Sequence, residues 1–191
     1  MHAETIRIRL VGERPLLMHS ARLADPCDPA ASDLARVTSK RHKTKADHEE
    51  LARLEWYGGL WTIGGAPCLP SEAIESSFAK AASLRRRARQ AKAGFMVCDP
   101  ARLEHDGPPT IDELWRDPRF RLRRSVSVGN ARTMRTRAMF PAGWSAEIAA
   151  QFLPTLLDRA EILEIFQVAG AQIGIGDWRP KYGRYKVQLI D

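Results

Sequence analysis

Cysteine is scarce in this chain of 191 residues. Cys27, Cys68 and Cys98 are odd in number and show no C-x-x-C spacing, which argues against a disulfide framework and a zinc site and predicts reduced structural thiols. Long apolar runs are missing too. No stretch reaches the roughly 18 residues of a membrane-spanning helix, and the opening Met-His-Ala-Glu-Thr-Ile-Arg-Ile-Arg lacks the apolar centre of a secretion signal. These absences predict a cytoplasmic protein with no membrane partner. Nucleotide-loop, nucleophile-elbow and zinc-hydrolase motifs (G-x-x-x-x-G-K-[ST], G-x-S-x-G and H-E-x-x-H) do not occur, so ATPase, acyl-transfer and zinc-hydrolase readings have no basis. Gly58-Gly59 and Gly64-Gly65 do not form a dinucleotide fingerprint. Asp25, Asp28 and Asp33 lie close together, but their proline spacing is unlike a calcium loop. Neither a metal nor a small-molecule cofactor is expected.

Positive charge is abundant: the net charge is +7 and the isoelectric point about 9.7. Its distribution says more than its sum. Arg36, Lys40, Arg41, Lys43 and Lys45 form one group, and Arg85, Arg86, Arg87, Arg89 and Lys92 a second, neither interrupted by an acid. Arg116, Arg119, Arg121, Arg123, Arg124, Arg132, Arg135 and Arg137 form a third, with Asp117 the one acid among them. Four more cations close the chain at Arg179, Lys181, Arg184 and Lys186, so 22 of the 30 lysines and arginines lie in four short segments. The acids, among them Glu49, Glu50, Glu55, Glu72, Glu75, Asp158, Glu161 and Glu164, fall on stretches of helical pattern, where solvated faces and helix N-termini use them. Acid-poor cationic runs of this kind suit a polyanionic partner.

Composition suits one domain, or one domain with a large insertion. Thr5 to Val11 alternates with period two and reads as a half-buried strand. A polar, Pro- and Asp-rich connection follows from about Ala21 to Ser32, then a helix from Thr44 to Glu55, then a small hairpin between Trp56 and Leu69 broken by the glycine pairs. Pro70-Ser71 starts a helix with Ser71 as its cap and Ile74, Phe78, Ala81 and Ala82 inward. Gly94 to Cys98 is a short strand. Leu122–Val128 and Ala131–Phe140, joined at Gly129-Asn130, form a hairpin with one face lined by arginine. Trp144–Phe152 reads as a strand, Asp158 to about Ala171 as a helix burying Ile162, Ile165, Phe166 and Ala169, and Tyr185–Ile190 as the last strand. Two tandem β-α-β units predict an α+β chain with a ferredoxin-like (RRM-like) antiparallel sheet carrying two helices. In this reading residues 1–191 are a single domain, with an insertion at about 21–69 and a basic hairpin at about 119–140 projecting as arms.

The loop from Gly170 to Tyr185 combines glycines that let main-chain N–H groups approach an anion (Gly174, Gly176, Gly183), cations, and the rings of Trp178, Tyr182 and Tyr185 as stacking faces. Trp56 and Trp61 are further stacking candidates, whereas Trp115 and Trp144 read as packing residues. The whole chain resembles a family of tailed-phage and prophage proteins ending in Gly-x-Gly-[Asp/Glu]-Trp-Arg-Pro followed by Gly-Arg-[Phe/Tyr], here Gly174 to Tyr185; no activity comes with that resemblance. Gly12-Glu-Arg-Pro-Leu-Leu-Met-His19 and residues 158–190 also resemble the two ends of the CRISPR-associated RAMP superfamily. That likeness implies ferredoxin-like domains and nucleic-acid binding, most like the backbone subunit that polymerises along a guide RNA, although this chain is shorter than most such subunits.

The expected function is non-catalytic, mostly sequence-independent binding of single-stranded nucleic acid, DNA by preference and RNA as the alternative, with homo-oligomers assembling along the strand. The expected contact residues are Lys40, Arg41, Lys43, Lys45, Arg85, Arg86, Arg87, Arg89, Arg121, Arg123, Arg124, Arg132, Arg135, Arg137, Trp178, Arg179, Lys181, Tyr182 and Arg184, emerging on one continuous groove. Two other readings stand beside it. One is a metal-independent RAMP-type endoribonuclease with His19 or His42 as general base; the other is a phage-encoded protein whose basic patches bind a host defence or replication complex.

Overall fold

Alternation of apolar and polar residues sets the first strand. In the computed structural model, which describes residues 2–129 and 131–190, β1 (Glu4–Gly12) buries Ile6, Ile8 and Leu10 completely on one face and carries Arg7 and Arg9 on the other. The chain is a mixed α+β protein. After β1 come β2 (Leu16–Met18), α1 (Pro29–Thr38), α2 (Lys45–Gly59), β3 (Thr62–Ile63), β4 (Ala66–Leu69), α3 (Ser71–Leu84), α4 (Ala88–Gly94), β5 (Phe95–Val97) and β6 (Ala101–Arg102). The second half holds α5 (Ile111–Arg116), β7 (Arg121–Val128), β8 (Ala131–Phe140), β9 (Ser145–Phe152), α6 (Arg159–Val168), a π turn at Ala169–Ile173, and β10 (Tyr185–Leu189). Among the described residues no helix is long and apolar enough to cross a membrane.

Two compact units divide the chain. The first comprises Met1–Leu16, Thr62–Asp106 and Pro141–Asp191. Its main sheet has the order β10-β1-β9-β5, every neighbour antiparallel, with Ile8 opposite both Leu189 and Ile148 and Phe95 opposite Phe152. Helices α3 and α6 supply its apolar layer. Ile74, Phe78, Ala81 and Ala82 recur at three- and four-residue spacing and are buried, as are Ile162, Ile165, Phe166 and Ala169. Phe78 stacks on Phe95 at 4.0 Å between ring centroids and meets Phe166 at 4.8 Å. The α6 start is a reciprocal cap: Asp158 accepts from the Glu161 N–H and Glu161 from the Asp158 N–H. The α3 start differs from expectation, because extended Pro70 holds the cap position and Ser71 is already helical, with no side-chain cap. A smaller sheet, β3-β4-β6, completes the unit.

The second unit comprises Leu17–Trp61 and Gly107–Phe140. It has a sheet of order β2-β8-β7 and its own buried centre of Trp56, Leu114, Phe120, Ala138 and Phe140. The Trp56 indole N–H donates to the Phe120 carbonyl at 2.8 Å. Much of the segment read as an inserted arm is therefore helical and packed. Asp28 caps α1 by accepting from the Ala30 N–H and Pro29 opens the first turn, so the Asp-Pro-rich stretch read as a connection contains a helix start. Helix α2 runs through Gly58 and Gly59 instead of breaking there. A Cβ on Gly58 would lie 2.4 Å from the Leu23 side chain, so that glycine serves close packing. The β3–β4 turn uses Gly64 and Gly65, whose φ angles of +56° and +79° favour glycine.

The β7–β8 hairpin forms with Arg124 opposite Arg135 and Arg123 opposite Thr136; Asn130 of the expected turn lies outside the described residues. Cross-strand partners share a face, so Arg121, Arg123 and Arg132 lie on one side and Arg124, Arg135 and Arg137 on the other. The expectation of a single arginine-lined face is corrected: strict alternation divides the six between both.

Because Phe78 is only 1% exposed at the centre of the phenylalanine cluster, Phe78→Ala should cost roughly 3 to 5 kcal/mol of unfolding free energy. Chemical denaturation measures it, and a loss below about 1 kcal/mol would contradict this packing.

Candidate nucleic-acid interface

The deciding residue in the second unit is an acid. Glu55 sits on α2 in helical phase with His48, Leu51 and Ala52 and is 5% exposed. Its carboxylate accepts from Arg135 Nη1 at 2.9 Å and from the Thr136 main-chain N–H at 2.7 Å. Burial of a carboxylate is tolerated when charge and hydrogen bonds are both met. Around this anchor lies a cleft of about 520 Å³, bounded by α2 on one side and β8 residues 132 to 136 on the other. Lys43, His48, Arg123, Arg132 and Arg135 line it, and Glu55 is its one acid. A second cavity of about 440 Å³ shares Thr38, Glu55 and Arg135 with the first and adds His19 and Arg137.

The other cations of this unit are placed unequally. Lys40 donates to Asp47, and Asp47 also closes the Thr44 capping box; the Lys40 hydrogen bond, followed by those from Thr44, holds the Asp47 carboxyl well below the usual carboxylate range. Lys43 donates to the Lys40 carbonyl at 2.7 Å. Lys45 stands 3.9 Å from Glu49. Arg41 and His42 are exposed before α2. Arg121 lies over the Trp115 ring at 4.6 Å, a cation–π contact. Arg124 is exposed, and Arg137, 8% exposed, sends Nη1 to the Thr136 carbonyl at 3.3 Å. The aspartates read against a calcium loop hold the chain instead: Asp25 accepts from the Cys27 N–H, and Asp28 pairs with Arg22, whose hydrogen bonds lower its carboxyl pKa.

No protein-family model and no curated protein matches this chain.

In the first unit the cationic groups are likewise divided between engaged and exposed. Arg85 pairs with Glu164 and Arg87 with Glu161, both acids on α6, while Arg86 and Arg89 are exposed. The glycine-rich loop spends N–H groups on main-chain carbonyls of its own unit. Gly174 N–H donates to Ala169, Ile175 N–H to Gly183, and Gly183 N–H to Pro15. A Cβ on Gly183, where φ is +71°, would fall 1.7 Å from the Ile175 carbonyl oxygen, and one on Gly170 would fall 2.0 Å from that of Tyr185. These glycines let one backbone pass against another. Gly176 also has positive φ, at 87°. Trp178 and Tyr182 are half-buried with ring centroids 6.2 Å apart, Lys181 stands over the Tyr182 ring, and Arg184 Nε donates to Pro180. Arg179 is half-exposed.

Two expected stacking faces are withdrawn by burial. Trp56 is fully enclosed, and Tyr185, 2% exposed, places its hydroxyl beside Ser77, burial pushing its pKa far upward. On the outward face of the main sheet stand Arg7, Arg9, Glu147, Gln151, Lys186 and Gln188, with Arg9 paired to Glu147 at 2.7 Å. Glu55, expected on a solvated face, is buried; its position four residues after Leu51 and three after Ala52 is the signal that marks it as inward.

Two measurements follow. Gly183→Ala should destabilise the first unit by roughly 3 kcal/mol, through positive-φ strain and the backbone clash; unchanged denaturation would contradict the loop geometry. Tyr57 donates its hydroxyl to Asp112 at 2.7 Å, and burial first, then Asp112, pushes its pKa up from 10.0 to about 12. The folded state therefore prefers the protonated phenol, and its contribution to stability is complete below pH 10 and lost as pH rises through about 12. Tyrosinate absorbance should show a step near 12 that Tyr57→Phe removes; ionisation at pH 10 would contradict the contact.

Proposed function

We propose that this protein is a non-catalytic binder of single-stranded nucleic acid, largely indifferent to sequence, and that the second unit's cleft carries the contact. The observation that supports it is the charge balance there: Lys43, Arg123, Arg132 and Arg135 converge on one cavity whose single acid, Glu55, is buried and already paired. Guanidinium groups offer forked donors to phosphate oxygens, and an ammonium adds a point charge. Trp178 and Tyr182 in the other unit offer rings for stacking. Single-stranded DNA is the preferred ligand and RNA the alternative, with assembly of copies along the strand. We read the first unit as ferredoxin-like, on the order β10-β1-β9-β5 and the succession β1, α3, β5, β9, α6, β10. On its outward sheet face Arg7 and Arg9 are already paired with Glu147, so that face adds little to phosphate contact.

His19 favours a second reading, since it lines a cavity together with Arg135 and Arg137. A metal-independent endoribonuclease built on it would cleave RNA in chelator and lose activity in His19→Ala; intact RNA after long incubation ends that reading.

Fluorescence anisotropy with oligo-dT, oligo-U and duplex DNA at several salt concentrations tests the binding. Single strands should bind, with affinity falling linearly on a log–log salt plot. Replacing Lys43, Arg123 and Arg132 together by glutamine should flatten that slope by about 2, at about 0.7 per phosphate contact. Absence of binding at low salt, or an unchanged slope in the triple variant, overturns the proposal.

A further inference from the structure

The bond from Thr136 to Glu55 fixes which way β8 points its main chain. An N–H given to Glu55 is turned away from β7, so by the two-residue alternation of an antiparallel pair the N–H and C=O groups of Arg132, Met134 and Thr136 all face the cleft edge of β8. Thr136 is closed on that side, its N–H by Glu55 and its C=O by Arg137. Strand β2, on this edge of β8, has only three residues, and none of them lines the cleft beside Arg132 and Met134. The cleft thus has a strand edge offering alternating donors and acceptors along one wall and Leu51 and Ala52 of α2 along the other, with Lys43 and Arg123 at hand.

We infer that this edge accepts an extended acidic polypeptide segment as an added β-strand, paired at Arg132 and Met134, with its carboxylates toward Lys43, Arg123 and Arg132. The alternation of donors and acceptors decides the class, since a peptide satisfies both and a phosphate chain only the donors. The surplus of positive charge decides its sign. Because the cations are those assigned above to phosphate, peptide and nucleic acid exclude one another from the cleft.

The test uses the full chain and a capped synthetic peptide of alternating glutamate and threonine, in two N-methylated forms that block one or the other set of peptide N–H groups. The unmodified peptide should bind at low salt, slow hydrogen exchange at the Arg132 and Met134 amides and displace oligo-dT. One methylated form should bind about tenfold or more weaker and the other nearly as well as the parent, since only one set of N–H groups faces β8. Met134→Pro, which removes an N–H not used by β7, should weaken the peptide similarly while the folded hairpin persists. Failure of the peptide to bind, equal binding of both methylated forms, or unchanged exchange at the two amides overturns the inference. Oligo-dT binding under those conditions leaves the nucleic-acid reading standing, whereas peptide binding without oligo-dT binding removes that reading and keeps this one.

Discussion

A single buried carboxylate organises the second unit. Glu55 reaches from α2 to β8, satisfying a guanidinium and a main-chain N–H at once. Removing Arg135 would leave Glu55 charged and desolvated, which costs more than the pair contributes net. Helix α2 is thereby tied to the strand that carries Arg132, Arg135 and Arg137, and the space beside the tie becomes a cleft whose remaining charge is positive. Trp56, the next residue along, secures the same helix through the Phe120 carbonyl and the Trp115 ring.

Charge counted along a sequence is not charge available to a ligand. Arg85, Arg87 and Lys40 belong to cationic runs, yet each faces an acid from another turn or helix, as Lys186 faces Glu13. Exposed ion pairs of this kind contribute little to stability, but they reduce the local potential. The cations that line the large cleft come from segments distant in sequence, Lys43 before α2 and the arginines of β7 and β8, and folding alone brings them together.

Elements with strong periodicity were legible. The β1 alternation, the α3 and α6 faces and the β9 and β10 strands appear near their expected limits, because tertiary packing there agrees with local pattern. Helix α1 is not legible in the sequence, since its Asp28-Pro29 start resembles a turn and its face is narrow, with Val37 as its buried residue. Gly58 and Gly59 mislead for another reason: α2 continues through both, needing Gly58 small where it meets Leu23, whereas a Cβ on Gly59 would make only ordinary contact with Met18 and His19. The hairpin is legible from its turn and flanking strands, but its arginine face is not, because alternation along β7 and β8 sends neighbouring arginines to opposite sides. Glu55 and Tyr185 show the same limit: a polar residue within a helical or strand pattern is buried when a partner waits across the fold, and no local pattern reveals that partner.

In the proposed complex a polyanion lies along α2 and β8 of the second unit. Ultraviolet cross-linking of the protein to oligo-dT, followed by mass spectrometry of the modified peptides, reads that location directly. Adducts should concentrate within residues 38–55 and 121–137 and vanish at high salt. Adducts confined to residues 85–92 and 178–186, or none at low salt, would contradict it.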